Sequence, residues 1–505
     1  MILGLVPGRS SRFLEVSIPT HGELNGSQGI RVVSELGYAP VSDGPPMTPD
    51  TLGRQAVVLG AGMAGLFSAR ILSDYFDQVV VLDRDDLPDG PRPRAGVPQD
   101  RHLHTMLPGG LEIACSFFPG LAADLEVAGA VRSRFGQDLI VFRPEGTSYL
   151  AAAMRSEPLV TGIIYYSMSR SLFEHVVRCR VMAIPNVLIH PRSPVRRPLV
   201  IDGAVVGVIL ESGDEVHADL VIDASGRAAR SISWLGQLGY EAPAESVVAC
   251  DFAYASAVLR PSDPVAIQGS GVLVLPDPAS DTPTRGGYLV RIEDNLWMAG
   301  LAGRFGDFPP VDPEAWRAFG RSLTWPGWDD LVGAAELVSA PSPFRFPRSV
   351  RRHFERLEFF PEGLVPLGDA VCHINPVYGQ GMSAAACQVR ALGNLLERRS
   401  SLSSGLLGIA REFFPMAAET TRTPWALAAG SDFLDSRTTG DFPEEELDGL
   451  LRYVQLGTLV ESDSEAADLF LDIYNLRRPL SVLGEPPWPE RLAAEHHQTS
   501  ISQSG

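Results

Sequence analysis

Three short segments carry the residue types and spacings from which chemistry can be built. The first is Gly60-Ala61-Gly62-Met63-Ala64-Gly65, lying between the apolar run Gln55–Leu59 and a helical stretch that reaches about Tyr75. Glycine at 60 permits a tight turn, glycine at 62 lets backbone approach a diphosphate, and glycine at 65 permits close packing of helix on strand. The helix that follows offers free N–H groups and the positive end of its dipole to phosphate oxygens. Asp83 ends the next apolar run, Gln78–Leu82, 23 residues after Gly60, where a carboxylate can hold ribose hydroxyls. The second segment, Asp219–Arg227, closes a strand with Asp223-Ala-Ser-Gly226. The third runs from Gly363 through Gly368-Asp369 and His373 to Asn375-Pro376-Val-Tyr378-Gly379-Gln-Gly381-Met382. Asp369, just after a strand, can accept hydrogen bonds from a sugar-alcohol chain. Gly379 to Met382 open a helix whose N–H groups can face an electron-rich ring, as in a reduced flavin with negative charge near N1 and O2.

The elements that must position these segments can be read from apolar periodicity. Residues 55–83 form a βαβ unit. Residues 161–182 read as a helix with Arg170 near its start. Residues 199–224 read as three strands with turns at Asp202-Gly203 and Gly213-Asp214. Residues 246–302 alternate apolar and polar side chains over short runs, the signature of an antiparallel sheet. Gly363–Leu367 is a buried strand, a long helix runs from Gly379 to about Arg398, and the chain beyond 400 is mainly helical, ending in a polar tail. Residues 1–53 show no sustained periodicity and read as a loosely ordered lead-in; Met47 stands just ahead of the first strong strand and is a candidate start of the native protein.

Composition narrows the chemistry. The 505 residues suffice for two or three compact units, and 45% hydrophobic with 20% charged residues is ordinary globular content. All 42 basic residues are arginine, so a Schiff-base lysine and a P-loop lysine are both excluded. Sixty-one acidic residues bring the formal charge to −19, which argues against nucleic acid as a partner. The local run Arg345, Arg348, Arg351, Arg352 could still dock an acidic partner. Five scattered cysteines, Cys115, Cys179, Cys250, Cys372 and Cys387, form no paired motif and suit a reducing cytoplasm. His102 and His104 lack acidic neighbours at ligand spacing, so no metal site is expected. Neither a signal peptide nor an apolar stretch of membrane-spanning length is visible.

Taken together, Gly60–Gly65, Asp223–Arg227 and Gly368–Met382 resemble the motifs of the group A flavoprotein monooxygenases of the para-hydroxybenzoate hydroxylase fold. A narrower likeness is to the flavin epoxidases of polyether antibiotic biosynthesis, related to squalene epoxidase. It rests on Gly96–His104, Ser169-Arg170-Ser-Leu-Phe-Glu174, Gly286–Gly303, Phe344-Arg-Phe-Pro347, and Thr423-Pro-Trp425 with Asp432. The resemblance covers roughly residues 55–440. It implies an α/β fold: a Rossmann-like FAD-binding domain (54–240 and 340–400) interleaved with an antiparallel-sheet substrate domain (241–339), then a helical C-terminal region (401–505).

The resemblance further implies that Gly60, Gly62, Met63, Ala64 and Gly65 hold the FAD diphosphate and that Asp83 and Arg84 face the adenosine ribose. Gln99 or Arg101, with Arg170, would reach the diphosphate or ribityl region. Asp223, Gly226, Gly368 and Asp369 would border the ribityl chain, and Pro376, Gly379, Gly381 and Met382 the isoalloxazine. Phe344, Tyr378, Tyr288 and Trp297 would face substrate. O2 is then the co-substrate, and a C4a-hydroperoxide of the flavin delivers one oxygen atom to the double bonds of a polyene polyketide, free or carrier-bound. Asp223-Ala-Ser-Gly226 departs from the family's Asp-Gly pattern, so electrons come from NAD(P)H directly or through a separate flavin reductase. His373 is the titratable candidate near the ring. The competing readings are an aromatic polyketide hydroxylase, which needs a base near a phenol, and a flavin-dependent reductase of prenyl double bonds. A halogenase of the kind that relies on lysine is disfavoured, since the chain has none.

Overall fold

The protein is described by a computed structural model that covers residues 51–142, 162–261, 269–276 and 284–493, apart from positions 324, 326, 334, 403 and 461. Most of the lead-in (residues 1–50), Met47 and the polar tail beyond residue 493 lie outside the described residues.

The apolar runs of the first βαβ unit become the centre of a five-stranded parallel sheet. Its strands lie in the order Leu364–Pro366, Leu220–Asp223, Gly53–Leu59, Phe76–Leu82, Val187–His190. Both faces are covered, so the strands are apolar without alternation: Ala56, Val57, Val58, Val79, Val81, Leu220, Val221 and Ile222 are all fully buried. The register sets Leu59 beside Leu82 on one side and Asp223 on the other, with Asp223 beside Pro366. The turns that leave these strands therefore emerge side by side at one edge. Helices Met63–Leu72, Arg170–Met182 and Gly381–Leu402 contribute apolar residues to the same core, among them Leu66, Phe173 and Leu392.

A second, seven-stranded sheet is built mainly from residues 252–346. Strand Phe252–Arg260 lies between Trp297–Arg304 on one side and Ser342–Phe346 with Glu336–Leu337 on the other, all antiparallel to it. Gly286–Arg291, Gly271–Val274 and Leu139–Phe142 complete the sheet. Helix Pro313–Arg321 packs Trp316 against its apolar face, in one cluster with Trp297 and Trp328. A four-stranded sheet (Cys372–His373, Ser349–Arg352, Glu245–Ala249, Thr439–Gly440) joins the third motif to the C-terminal region. Helices Ile409–Trp425, Glu444–Leu459 and Ser464–Tyr474 carry the chain onward, the last two in a second apolar cluster that includes Leu139, Val141 and Val290 of the seven-stranded sheet. The architecture is the mixed α/β one expected, with parallel and antiparallel sheets and a helical C-terminal region. No helix among the described residues is long and apolar enough to cross a membrane.

Two local readings change. Residues 161–182 are not one helix: Ile164–Ser167 is a strand paired with Val131–Arg134, and the helix starts at Arg170. The aromatic and branched residues Ile164, Tyr165 and Tyr166 favour the strand, and the Ser169 side chain caps the helix by accepting from the Leu172 N–H at 3.1 Å. Residues 199–224 hold the ends of four strands. Val195–Ile201, Ala204–Leu210 and Glu215–His217 form an antiparallel sheet, but Leu220–Asp223 crosses into the parallel sheet. Asp219 fixes the crossing, since its carboxylate accepts from the backbone N–H groups of Arg54 (2.6 Å) and Gln55 (3.0 Å).

Candidate functional site

Because the strand ends are in register, all three motifs open onto one cavity of about 280 Å³ at the carboxyl edge of the parallel sheet. This is the edge at which open α/β sheets bind ligands. Its floor is Gly60, Gly62, Met63 and Ala64; Asp83, Arg84 and Arg94 stand on one side; Gly226, Arg227 and Asp369 stand on another. Pro376, Gly379, Gly381 and Met382 line the far end, beneath Phe344 and Phe346 of the antiparallel sheet.

The floor has the form a diphosphate requires. A methyl group at Gly62 would meet no protein atom within 4 Å, so that side of the turn is open. At Gly65 it would lie 1.8 Å from the Gly60 carbonyl oxygen, so helix and turn touch there through backbone alone. Gly60 itself has φ +98°, a conformation suited to glycine. Helix Met63–Leu72 has no acidic side chain in its first turn and no side-chain cap, which leaves its first N–H groups for a ligand.

Beside the floor is a buried cluster of charges. Asp83 accepts from the Ala61 N–H (2.6 Å), the Asp85 N–H (2.8 Å) and Arg94 (3.0 Å). Arg94 also meets Glu174 at 2.9 Å, and Glu174 binds Arg170 at 2.8 Å and Arg178 at 3.3 Å. Burial pushes the Glu174 carboxyl up, but Arg170 and Arg94 outweigh it and hold it below its ordinary range. Asp100, 4.0 Å from Arg170, is pushed up to about 6 by burial. Arg170 thus reaches the cavity wall as a rigid, paired cation.

The far end is fixed by a second buried network. Asn375 accepts from the Val377 N–H (3.2 Å) and donates to Asp432 (2.9 Å), which also accepts from the Tyr378 hydroxyl (2.9 Å). Asp432 is 1% exposed and lies 3.5 Å from Arg304. The turn 376–378 is thereby anchored to the C-terminal helical region, and Gly379 (φ +67°) leads from it toward helix Gly381–Leu402. Within that helix Gln388 accepts from the Gly368 N–H at 2.8 Å.

Of the expected site residues, Gly60, Gly62, Met63, Ala64, Asp83, Arg84, Gln99, Arg170, Gly226, Asp369, Pro376, Gly379, Gly381, Met382, Phe344 and His373 line the cavity. Others stand behind it. Asp223 is fully buried and accepts from the backbone N–H groups of Ser225 (3.1 Å) and Ser231 (2.7 Å), shaping the second turn. Gly65 and Gly368 serve the turns they belong to. Four others do not line the cavity. Arg101 projects to solvent at the end of a 3₁₀ turn, leaving Gln99 as the lining residue. Trp297 is 4% exposed and packed under helix Pro313–Arg321, on the sheet's other business of core formation. Tyr288 accepts from the Leu103 N–H (3.1 Å) and shares a hydrogen bond with Ser256 (2.7 Å), while the Tyr378 hydroxyl is engaged by Asp432. Neither tyrosine lines the cavity.

Arg94, Arg227 and Phe346 line the cavity without having been singled out for it. Arg94 comes from a Pro- and Arg-rich loop with no periodicity to read. The Arg170, Glu174, Arg178 spacing, by contrast, is a legible i, i+4 ladder on one helix face. The two histidines at the cavity are held uncharged. Burial, then Arg352, Arg227 and Arg348, lower His373 to about 3; burial, then Arg170, lower His104 to about 4. Burial raises the Asp369 carboxyl, and Arg227, Arg170 and Arg352 oppose it. No group of three or more metal-ligating side chains gathers among the described residues.

No family model matches the sequence. Protein Rv3254 of Mycobacterium tuberculosis is 34% identical over 463 residues, covering 87% of this chain and 93% of that protein. Among solved structures, the flavin-dependent brominase Bmp2 superposes with a TM-score of 0.60 at 14% identity, over 89% of this chain and 100% of its own. PqsL of Pseudomonas aeruginosa, described as "a probable FAD-dependent monooxygenase", gives 0.51 at 16% identity, over 79% and 99%. At these identities the structural likeness is one of fold, and the fold is that of FAD-dependent monooxygenases and halogenases.

Proposed function

The chain belongs to the family of the mycobacterial Protein Rv3254, and from that premise, its flavoenzyme fold and its cavity we propose that it is an FAD-dependent monooxygenase acting on carbon–carbon double bonds. The observation that carries the reading is the single cavity onto which the glycine turn, Asp369 and the 376–382 turn all open.

In this reading the N–H groups of Met63 and Ala64 and the Arg170 guanidinium receive the diphosphate, and Gly62 leaves room for it. Asp83 and Arg84 face the adenosine ribose, Asp369 accepts from the ribityl hydroxyls, and the backbone of Gly379–Met382 faces the isoalloxazine. Bound FAD supplies the redox chemistry: two electrons from NAD(P)H, received directly or through a separate reductase, reduce O2 so that one oxygen atom enters substrate and the other leaves as water. The chain's own task is then to orient substrate and exclude water. Phe344, Phe346, Ile374 and Met382 give the far end apolar walls. His104 and His373, held uncharged there, put no fixed charge beside the ring. An alkene is already nucleophilic and asks for no base, which favours epoxidation of an apolar polyene. The brominase likeness is one of fold.

The test is turnover of the FAD-loaded enzyme with a polyene under ¹⁸O2, read by mass spectrometry. One ¹⁸O per oxidised double bond is expected. Hydroxylation of a phenol with phenol-stimulated NAD(P)H oxidation would replace the epoxidase by an aromatic hydroxylase, and saturation of the alkene without O2 would replace it by a reductase.

A further inference from the structure

A second recess, of about 430 Å³, adjoins the first and shares Arg227 and His373 with it. Strand alternation explains its charge. Val350 is the register partner of His373, and Val350 and Arg352 point to the face that lines the recess. Arg351 points to the opposite face, where it is buried in an ion pair with Glu446. Arg345 is paired with Asp251 at 3.0 Å. The arginine run is therefore no continuous docking patch: Arg345 and Arg351 are paired elsewhere, and Arg348 and Arg352 join Arg227 around one hollow.

Three guanidinium groups line this recess against one carboxylate, that of Glu245, which meets Arg352 at 3.0 Å. The guanidinium groups of Arg227 and Arg348 make no hydrogen bond or ion pair with the described residues, and both residues are exposed. Arg227 stands over the Phe344 ring, 5.3 Å away, and its charge is felt by Asp369 and His373 of the first cavity. On a chain of net charge −19, a concave surface with two excess positive charges is a local inversion of sign. Its planar, multidentate donors match phosphate oxygens, and its excess matches the two charges of a diphosphate diester.

We propose that this recess binds the diphosphate of a second ligand, which is thereby presented beside the flavin cavity. The proposal rests on the flavoenzyme reading for the purpose of that ligand, and two sources share the chemistry: a reduced pyridine nucleotide bringing electrons, or a coenzyme A thioester bringing substrate.

The experiment uses the FAD-loaded protein at fixed ionic strength and titrates it calorimetrically with inorganic pyrophosphate, NADPH and coenzyme A. Arg348 lies outside the flavin cavity and its guanidinium makes no hydrogen bond or ion pair with the described residues, so Arg348→Glu should retain FAD and the wild-type thermal midpoint. Pyrophosphate affinity is expected to fall about tenfold or more in Arg348→Glu and less in Arg348→Lys. A matching fall for NADPH, with its KM raised and kcat unchanged, assigns the recess to the reductant. A matching fall for coenzyme A, with NADPH unaffected, assigns it to the acyl ligand. If pyrophosphate fails to bind, or binds both proteins equally, the proposal is wrong. It is equally overturned if pyrophosphate responds but neither larger ligand does, the mark of an adventitious ion only. Protein that never takes up FAD would defeat the flavoenzyme reading instead, and the dependence of pyrophosphate binding on Arg348 would still be measurable.

Discussion

Buried, uncharged histidines at the cavity and behind it make the protein sensitive to mild acid, and the sign follows from where the protons go. In the unfolded chain a histidine takes up its proton near pH 6.5. In the folded chain His373 and His102 are lowered to about 3 and His104 to about 4, in each case first by burial. Between those limits the unfolded state binds more protons, so stability is complete above pH 6.5 and is lost as the pH falls below it. Each such histidine steepens the loss by up to about 1.4 kcal/mol per pH unit. Asp100, raised to about 6, acts in the opposite sense, because the folded chain takes its proton first as the pH falls from 6 toward 4. His373→Gln removes one of these contributions and leaves the others in place. Urea unfolding at pH 7, 6 and 5 should therefore show a shallower acid slope in the variant, by about 1.4 kcal/mol per unit at most. Equal slopes would mean that His373 takes up its proton in the folded protein as readily as in the unfolded chain.

The turn between Leu59 and Met63 shows how one element separates folding from binding. Gly62 has φ −76° and ψ −179°, angles that any residue adopts, and free space where a side chain would go. Gly62→Ala should leave the unfolding free energy within about 0.5 kcal/mol of wild type while its methyl group occupies the space assigned to the diphosphate. Gly65→Ala drives a methyl group into the Gly60 carbonyl oxygen and should cost about 1–3 kcal/mol by overpacking. FAD titration by fluorescence quenching, beside chemical denaturation, reads both quantities. A stable Gly62→Ala that binds FAD normally would remove the diphosphate from this turn. Such elements were legible because their signals are local: apolar strand, glycine turn, helix. Residues 161–182 were misread because periodicity does not separate a four-residue strand from the first turn of a helix; the Ser169 cap is the finer signal.

Across the whole molecule, what the sequence conceals is which distant segments meet. Phe344 and Phe346 reach the cavity because Ser342–Phe346 pairs with Phe252–Arg260, some ninety residues earlier in the chain. Trp297 sits on the same sheet but faces helix Pro313–Arg321, and an alternating strand looks alike whichever side meets the cavity. Arg94 arrives from an irregular loop and is fixed there by its contacts with Asp83, Asp85 and Glu174. The resulting cavity draws its walls from residue 59 to residue 385, so a ligand filling it ties the parallel sheet, the antiparallel sheet and the 376–382 turn into one unit. Binding of FAD to the folded state alone, at a hundred times its Kd, adds about 2.7 kcal/mol. For some 440 residues unfolding together that raises Tm by roughly 3 °C. Calorimetry of the flavin-stripped protein, with and without FAD, should show a single transition that moves upward as a whole, and Gly62→Ala should abolish the shift. Two transitions, of which FAD moves only one, would mean that the cavity's walls belong to parts that unfold separately and that the ligand does not join them.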